Sequence, residues 1–245
     1  MRNRHTYYLL VALMMVMACF PSKSEAIPLT PIRILIDVGH GGIDSGTSHG
    51  NLYEKDINLQ IAKRLYQHLT AAGYSVAMNR EEDIALSDDN RWLNSRSRHL
   101  RDLAQRKNLV KEIVPQMMLS LHVNWSSDTK RSGPLVLYQS NEQSYMLADL
   151  LQVSLNNLWG TKANPIKGKT YYMLRHNYCP SVIVEMGFIS NGSDRKQLTN
   201  PDGQEKIAQA ITAAVSEYVI LTGNLKMEAL VEESWWQKLV DGLMN

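Results

Sequence analysis

The chain has 245 residues, of which 44% are hydrophobic and 20% charged, enough apolar material for one globular domain with short terminal additions. Its formal net charge of +2 is too small to argue for a nucleic-acid partner. Only two cysteines occur, Cys19 and Cys179, so no disulfide framework is expected.

Arg2, Arg4 and His5 precede an apolar run from Tyr7 to Phe20, and Ser24-Glu25-Ala26 follows with small residues. Basic, apolar and small-residue segments in that order are the pattern of a secretory signal over residues 1–26. The run is shorter than the roughly 20 residues a spanning helix requires. Cleavage after Ala26, retention as an N-terminal anchor, and lipidation at Cys19 within Val16-Met17-Ala18-Cys19 are the three outcomes this pattern allows. Each implies an exported, extracytoplasmic protein that meets a membrane only through its N-terminus. Residues 27–31, with Pro28 and Pro31, read as a linker.

From Ile32 the chain alternates between strand and helix signals. Ile32–Ile36 is a compact apolar stretch ending at Asp37 and a glycine-rich loop, which predicts a strand with the loop at its carboxyl end. Ile57, Ile61, Ala62, Leu65 and Leu69 recur at helical spacing until Gly73, and Tyr74–Met78 reads as a second strand. A basic helix is expected over 94–112, followed by strands at Met117–Leu121 and Leu135–Tyr138. Met146, Leu147, Leu150, Leu151 and Leu158 mark another helix, Tyr171–Leu174 a weaker strand, and Ser181–Val184 a strong one. Ile207, Ile211, Val215 and Tyr218 make the last core helix. The alternation predicts a single α/β domain over 32–221, with the sheet as the inner layer. In the tail over 222–245, Met227, Leu230, Val231, Trp235 and Leu239 share one helical face, suited to docking on the domain's own surface or on a partner or membrane.

Four polar residues stand at strand ends or adjoining loops, where an open α/β sheet presents its ligands. They are His40 in Asp37-Val38-Gly39-His40-Gly41-Gly42, Glu54 in Tyr53-Glu54-Lys55-Asp56, His122 in Ser120-Leu121-His122-Val123-Asn124, and Glu185 in Val184-Glu185-Met186-Gly187. His40, His122 and Glu185 follow predicted strands, and Glu54 opens the first helix. Two imidazoles and one carboxylate make a catalytic zinc triad with a fourth position for water, whose pKa the metal lowers. A second carboxylate would take its proton and return it to a leaving group. The flanking glycines are expected to turn the backbone and leave room for substrate, and Asp37 either orients His40 or caps a turn. His5, His49, His68, His99 and His176 are assigned structural roles, and Cys179 that of a buried thiol. The Arg91–Lys107 stretch is expected to be a solvated helix face rather than a patch for peptide carboxylates, and Trp125 a packed loop aromatic.

In this order and separation, the four segments resemble the zinc-dependent N-acetylmuramoyl-L-alanine amidases of the type 3 family. The resemblance spans Ile32 to Tyr218 and includes Gly50-Asn51-Leu52-Tyr53-Glu54-Lys55-Asp56 leading into a helix, and Arg80 with Asp83 after the second strand. It implies a mixed, mostly parallel sheet flanked by helices on both faces. It further implies zinc (Zn2+) held by His40, Glu54 and His122, Glu185 as the catalytic glutamate, and peptidoglycan as substrate. Within the family, the single catalytic domain without wall-binding repeats, the Glu54-Lys55-Asp56 after the loop and the Arg96-Ser97-Arg98-His99-Leu100-Arg101-Asp102-Leu103 segment resemble the sporulation amidases that prepare spore cortex for muramic-lactam formation, some of which use a lipoprotein activator. Val38 and Trp125 stand where many relatives carry smaller residues or proline, and neither replaces a ligand. A non-catalytic wall-binding relative, or a zinc hydrolase of another peptidoglycan amide, remains open at this stage.

Overall fold

The structure, a computed structural model, describes residues 33–243, with side chains described to residue 223. The residues read as a signal segment and a linker, and the side chains expected to form an apolar face on the tail, lie outside these. Among the described residues no helix is long and apolar enough to cross a membrane.

The element order is β1 (Ile34–Val38), β2 (Ser48–His49), β3 (Leu52–Tyr53), α1 (Glu54–Ala71), β4 (Val76–Met78), α2 (Arg98–Ile113), β5 (Met117–Asn124), β6 (Leu135–Tyr138), α3 (Glu142–Trp159), β7 (Ile166–Lys167), β8 (Ser181–Phe188), α4 (Gly192–Thr199) and α5 (Pro201–Leu243). Six strands form one sheet in the order β4-β1-β5-β8-β6-β7. The first four run parallel, β6 pairs antiparallel with β8, and β7 runs parallel to β6. This is the expected mixed, mostly parallel α/β sheet. The strands are apolar on both faces, as buried parallel strands must be.

Alternation along each strand sorts its side chains between two cores. Ile34, Ile36, Leu119, Leu121, Val182 and Val184 enter the larger one beneath α1, α3 and α5. Leu35, Met118 and Ile183 point the other way, toward Val110 of α2 and toward Met173, Leu174 and Cys179. Continuing that second parity to the carboxyl ends of the strands gives Asp37, Ser120, His122 and Glu185. The more thinly covered face therefore carries Asp37, Ser120, His122 and Glu185 together at the carboxyl end of the sheet.

Several elements differ from the sequence reading. The first strand lies at Ile34–Val38 because its ladder with β5 runs on to the pair Val38 and Leu121. Helix α2 begins only at Arg98, where the Ser97 hydroxyl accepts from the Leu100 amide at 3.2 Å and caps it. Tyr172–Leu174 is a 3₁₀ turn instead of a strand, since β6 and β7 already occupy that edge of the sheet. Its Met173 and Leu174 are nevertheless buried. The last helix continues through Gly223 without a break.

Candidate metal centre

The backbone leaves β1 at Val38 and turns sharply, with His40 in a left-handed conformation at φ +61°. Gly39 must be glycine because of contact. A Cβ there would lie 2.5 Å from Cε1 of His122 and 2.6 Å from the Leu121 carbonyl. Gly46, at φ +64°, is pressed in the same way, with a Cβ position 2.5 Å from Oε2 of Glu54 and 2.7 Å from Cδ2 of His40. These glycines let residues distant in sequence pack against one another. The expectation that the glycines beside His40 leave room for substrate is corrected for Gly39 on this point.

The β2–β3 hairpin delivers Glu54 to the first position of α1. Its Oε1 lies 3.3 Å from Nε2 of His40 and 2.9 Å from Nδ1 of His122. The Val123 amide donates to Oε1 at 2.9 Å and the Thr47 amide to Oε2 at 2.8 Å, fixing the carboxylate. The two imidazoles meet edge to face with centroids 5.0 Å apart. One ligand atom from each of His40, Glu54 and His122 falls within 4.8 Å of the others, a candidate metal-binding triad. Ligands on a tetrahedral zinc ion with bonds of ~2.1 Å sit ~3.4 Å apart, so these spacings and this N, N, O donor set fit the ion.

The electrostatics favour a positive charge at this point. Burial disfavours ionised Glu54, yet His122 and His40 outweigh it and hold the carboxyl far below its usual range. Burial likewise opposes an imidazolium at His40, but Asp44 and Glu54 lift its pKa to about 10. A proton or a metal ion satisfies the same demand, and binding a metal releases the proton.

The orienting carboxylate of His40 is Asp44, whose Oδ2 lies 2.8 Å from Nδ1. Burial opposes its ionisation less than the His40 hydrogen bond favours it, which brings its pKa down to about 2. Asp37, for which orienting His40 was one of two expected roles, turns away. It accepts from Ser120 at 2.6 Å and pairs with Arg106 at 2.9 Å, an arrangement that holds it ionised despite full burial.

His122 and Glu185 lie inside β5 and β8, where the sequence placed them just beyond strand ends. They are directly paired across the two strands. Oε2 of Glu185 is shut from solvent and has no hydrogen-bond partner. Burial pushes its pKa up to about 7, with His122 pulling down and Glu54 pushing further up. A carboxyl so placed exchanges a proton near neutrality, as a general acid–base requires. Beside the triad opens a cavity of about 430 Å³, lined among others by His40, His122, Leu103, Tyr171 and Met173.

Among the other histidines, His68 pairs with Glu205 at 2.6 Å, whereas His99, read as structural, borders the cavity. Trp125 is 55% exposed instead of packed. The Arg-rich stretch divides. Arg91, Arg96 and Arg98 are solvated as expected, but Arg106 is buried and donates to the loop carrying His40. Sequence reasoning missed Asp44 and Arg106. A signal existed for Asp44 alone, an acidic residue four positions after a candidate ligand histidine.

Residues 34–217 match the sequence profile of the N-acetylmuramoyl-L-alanine amidases. The chain is 32% identical over 207 residues to the germination-specific N-acetylmuramoyl-L-alanine amidase of Bacillus subtilis, covering 82% of this chain and 86% of that protein. Among solved structures it is similar to the CwlD amidase of Clostridioides difficile, determined in complex with the GerS lipoprotein. That match has a TM-score of 0.73 at 31% identity and covers 78% of this chain and 99% of the other. The catalytic domain of CwlV, an amidase of Bacillus (Paenibacillus) polymyxa, matches with a TM-score of 0.65 at 26% identity, over 77% of this chain and 98% of that one. The sheet order, the clustered histidines and glutamate, and a family profile spanning the whole sheet agree: this chain belongs to the N-acetylmuramoyl-L-alanine amidase family.

Proposed function

We propose that the protein is an exported, zinc-dependent peptidoglycan amidase acting in spore cortex, with His40, Glu54 and His122 as zinc ligands and Glu185 as the acid–base residue. The observation that carries this reading is the convergence of the triad within 4.8 Å. An unpartnered carboxyl of raised pKa on the neighbouring strand supports it. Zinc bound there supplies a Lewis acid for the amide carbonyl and a water of lowered pKa.

The chain's own residues do the rest. Asp44 and the Glu54 hydrogen bonds orient the ligands. Glu185 takes a proton from the attacking water as its oxygen bonds to the lactyl carbonyl carbon of N-acetylmuramic acid. It then gives that proton to the nitrogen of L-alanine as the C–N bond breaks, leaving a free stem peptide and a lactyl carboxylic acid, which releases its own proton to become the carboxylate. The adjoining cavity of about 430 Å³, apolar on its Leu103 and Met173 side, suits part of a muramyl peptide.

A germination role is carried over from the B. subtilis relative and a lipoprotein partner from the C. difficile one, while the cortex assignment rests on the resemblance to sporulation amidases. Export rests on the N-terminal pattern of residues 1–26. To test the chemistry, purified protein with and without added zinc is incubated with peptidoglycan and the products are weighed by mass spectrometry. The reading requires zinc-stimulated release of stem peptides beginning with L-alanine, and products cut within the stem or cross-link overturn it. For the biological role, spores lacking the gene should contain little muramic lactam, and a normal content removes the cortex assignment.

A further inference from the structure

Three successive carbonyls of the loop that carries His40 are received by buried cations. Arg106, whose side chain is 3% exposed, donates from Nη1 to the Val38 carbonyl at 2.5 Å and from Nη2 to that of His40 at 2.8 Å. Arg80 approaches with Nε 3.3 Å from the Val38 carbonyl and Nη2 3.1 Å from that of Gly39. Arg106 is itself held by Asp37 at 2.9 Å and by Asp102 through Nε. Every nitrogen of its guanidinium is therefore engaged, two of them on backbone oxygens that flank a strained residue.

That arrangement is costly, and the cost indicates what it does. Burial pushes the pKa of Arg80 down and the nearby guanidinium of Arg106 pushes it further, next to a site that attracts a further cation. Packing α2 against β1 needs only apolar side chains, such as the Leu103 and Val110 already present. A planar fork spanning two carbonyls of one turn is something neither an apolar residue nor the single ammonium of lysine reproduces. His40 at φ +61° has no glycine's freedom, so its conformation persists only while its surroundings fix it.

We propose that Arg106 is a positioning residue for the metal centre. By holding the Val38 and His40 carbonyls, it fixes the turn that aims the His40 imidazole at the ion. This inference rests on the zinc reading above, and the experiment separates the two. Zinc affinity of the full chain is measured by chelator competition for wild type, Arg106→Lys, Arg106→Gln and Asp102→Asn, alongside thermal unfolding and circular dichroism of the metal-free proteins. Visible spectra of the Co²⁺-substituted proteins report ligand geometry.

If wild type binds no zinc, the zinc reading itself fails. If it binds, both Arg106 variants should lose about tenfold or more in zinc affinity and shift the Co²⁺ bands. Asp102→Asn, which removes an ion-pair partner yet leaves both carbonyl contacts, should unfold at lower temperature with zinc affinity within about threefold of wild type. Either folded Arg106 variant binding zinc like wild type, with unchanged Co²⁺ bands, overturns the proposal. So does Asp102→Asn losing zinc affinity in step with its stability, a result that stands even where both Arg106 variants fail to fold.

Discussion

Replacing Gly46 by alanine adds one methyl group where the structure has no place for it. The backbone there has φ +64°, a conformation that costs a non-glycine residue ~1–2 kcal/mol. The new Cβ would also lie 2.5 Å from Oε2 of Glu54, 2.7 Å from Cδ2 of His40 and 2.9 Å from Cβ of Glu54. Ordinary contacts are ~3.5–4.0 Å, so the two side chains must withdraw by about 1 Å. Overpacking of that kind costs a further ~1–3 kcal/mol, which puts Gly46→Ala at ~2–5 kcal/mol in all.

Gly50 supplies the control. Its φ of +58° carries the same backbone cost, but nothing lies within 4 Å of its Cβ position. Gly50→Ala should thus lose only ~1–2 kcal/mol, a fall of several degrees in Tm for a domain of this size. Thermal unfolding of the metal-free proteins gives the stabilities, and chelator competition gives zinc affinity. Zinc tolerates ligand distances only to about ±0.2 Å, so a displaced Glu54 should weaken binding by tenfold or more in Gly46→Ala alone. Equal zinc affinity in the two variants would refute the reasoning, because the methyl would then have been absorbed without moving the ligands.

Glu185→Gln should keep zinc and lower turnover on peptidoglycan by ~10²–10⁴, and loss of zinc with activity would make Glu185 a ligand. The same variant has a pH signature in the zinc-free protein. With its folded pKa raised from 4.5 to about 7, native Glu185 binds its proton more tightly than the unfolded chain does. Its contribution to stability is therefore full below the unfolded value and declines as pH rises through that window. Urea unfolding at several pH values should show that decline in wild type and less of it in Glu185→Gln, and identical pH profiles would contradict the buried-carboxyl assignment. Asp44→Asn should loosen zinc by ~10–100-fold and lower the His40 pKa in the zinc-free protein, seen by NMR titration; an unmoved titration would separate Asp44 from His40. Leu155→Ala, at a fully buried α3 position in the larger core, should cost ~2–5 kcal/mol in denaturant unfolding while leaving zinc affinity unchanged. A parallel loss of zinc would mean that the two faces of the sheet are coupled.

The fold was legible wherever a segment's period and length agreed. The Ile57 to Leu69 pattern and the Ser181–Val184 run correspond to α1 and β8. Face assignment was not legible, because strands buried on both sides read as unbroken apolar runs. The polar residues Asp37, Ser120, His122 and Glu185 become meaningful only once the β1–β5–β8 register aligns them. The turn at Tyr172–Leu174 deceived for a related reason. Its apolar residues are buried like a strand's, and their burial rather than their backbone is what the pattern reported.

The candidate site divides along a physical line. A metal's donors are restricted to a few side-chain types, so His40, Glu54 and His122 stand out against a chain with few histidines. Their supports are under no such restriction. Asp37 and Asp44 bracket His40 at three and four residues, and both carry the carboxylate an orienter needs. The left-handed backbone at His40 goes with Nδ1 facing Asp44, and that flip depends on carbonyls held by Arg106 from 66 residues away. Gly39 argues the same point from the opposite direction. It looks like a turn residue, yet its missing Cβ is required by the ring of His122, which lies far along the chain. A residue selected for what it touches is legible only when its partner is known, and in this site the three candidate ligands are marked by their donor chemistry while nearly everything holding them is chosen by its neighbours.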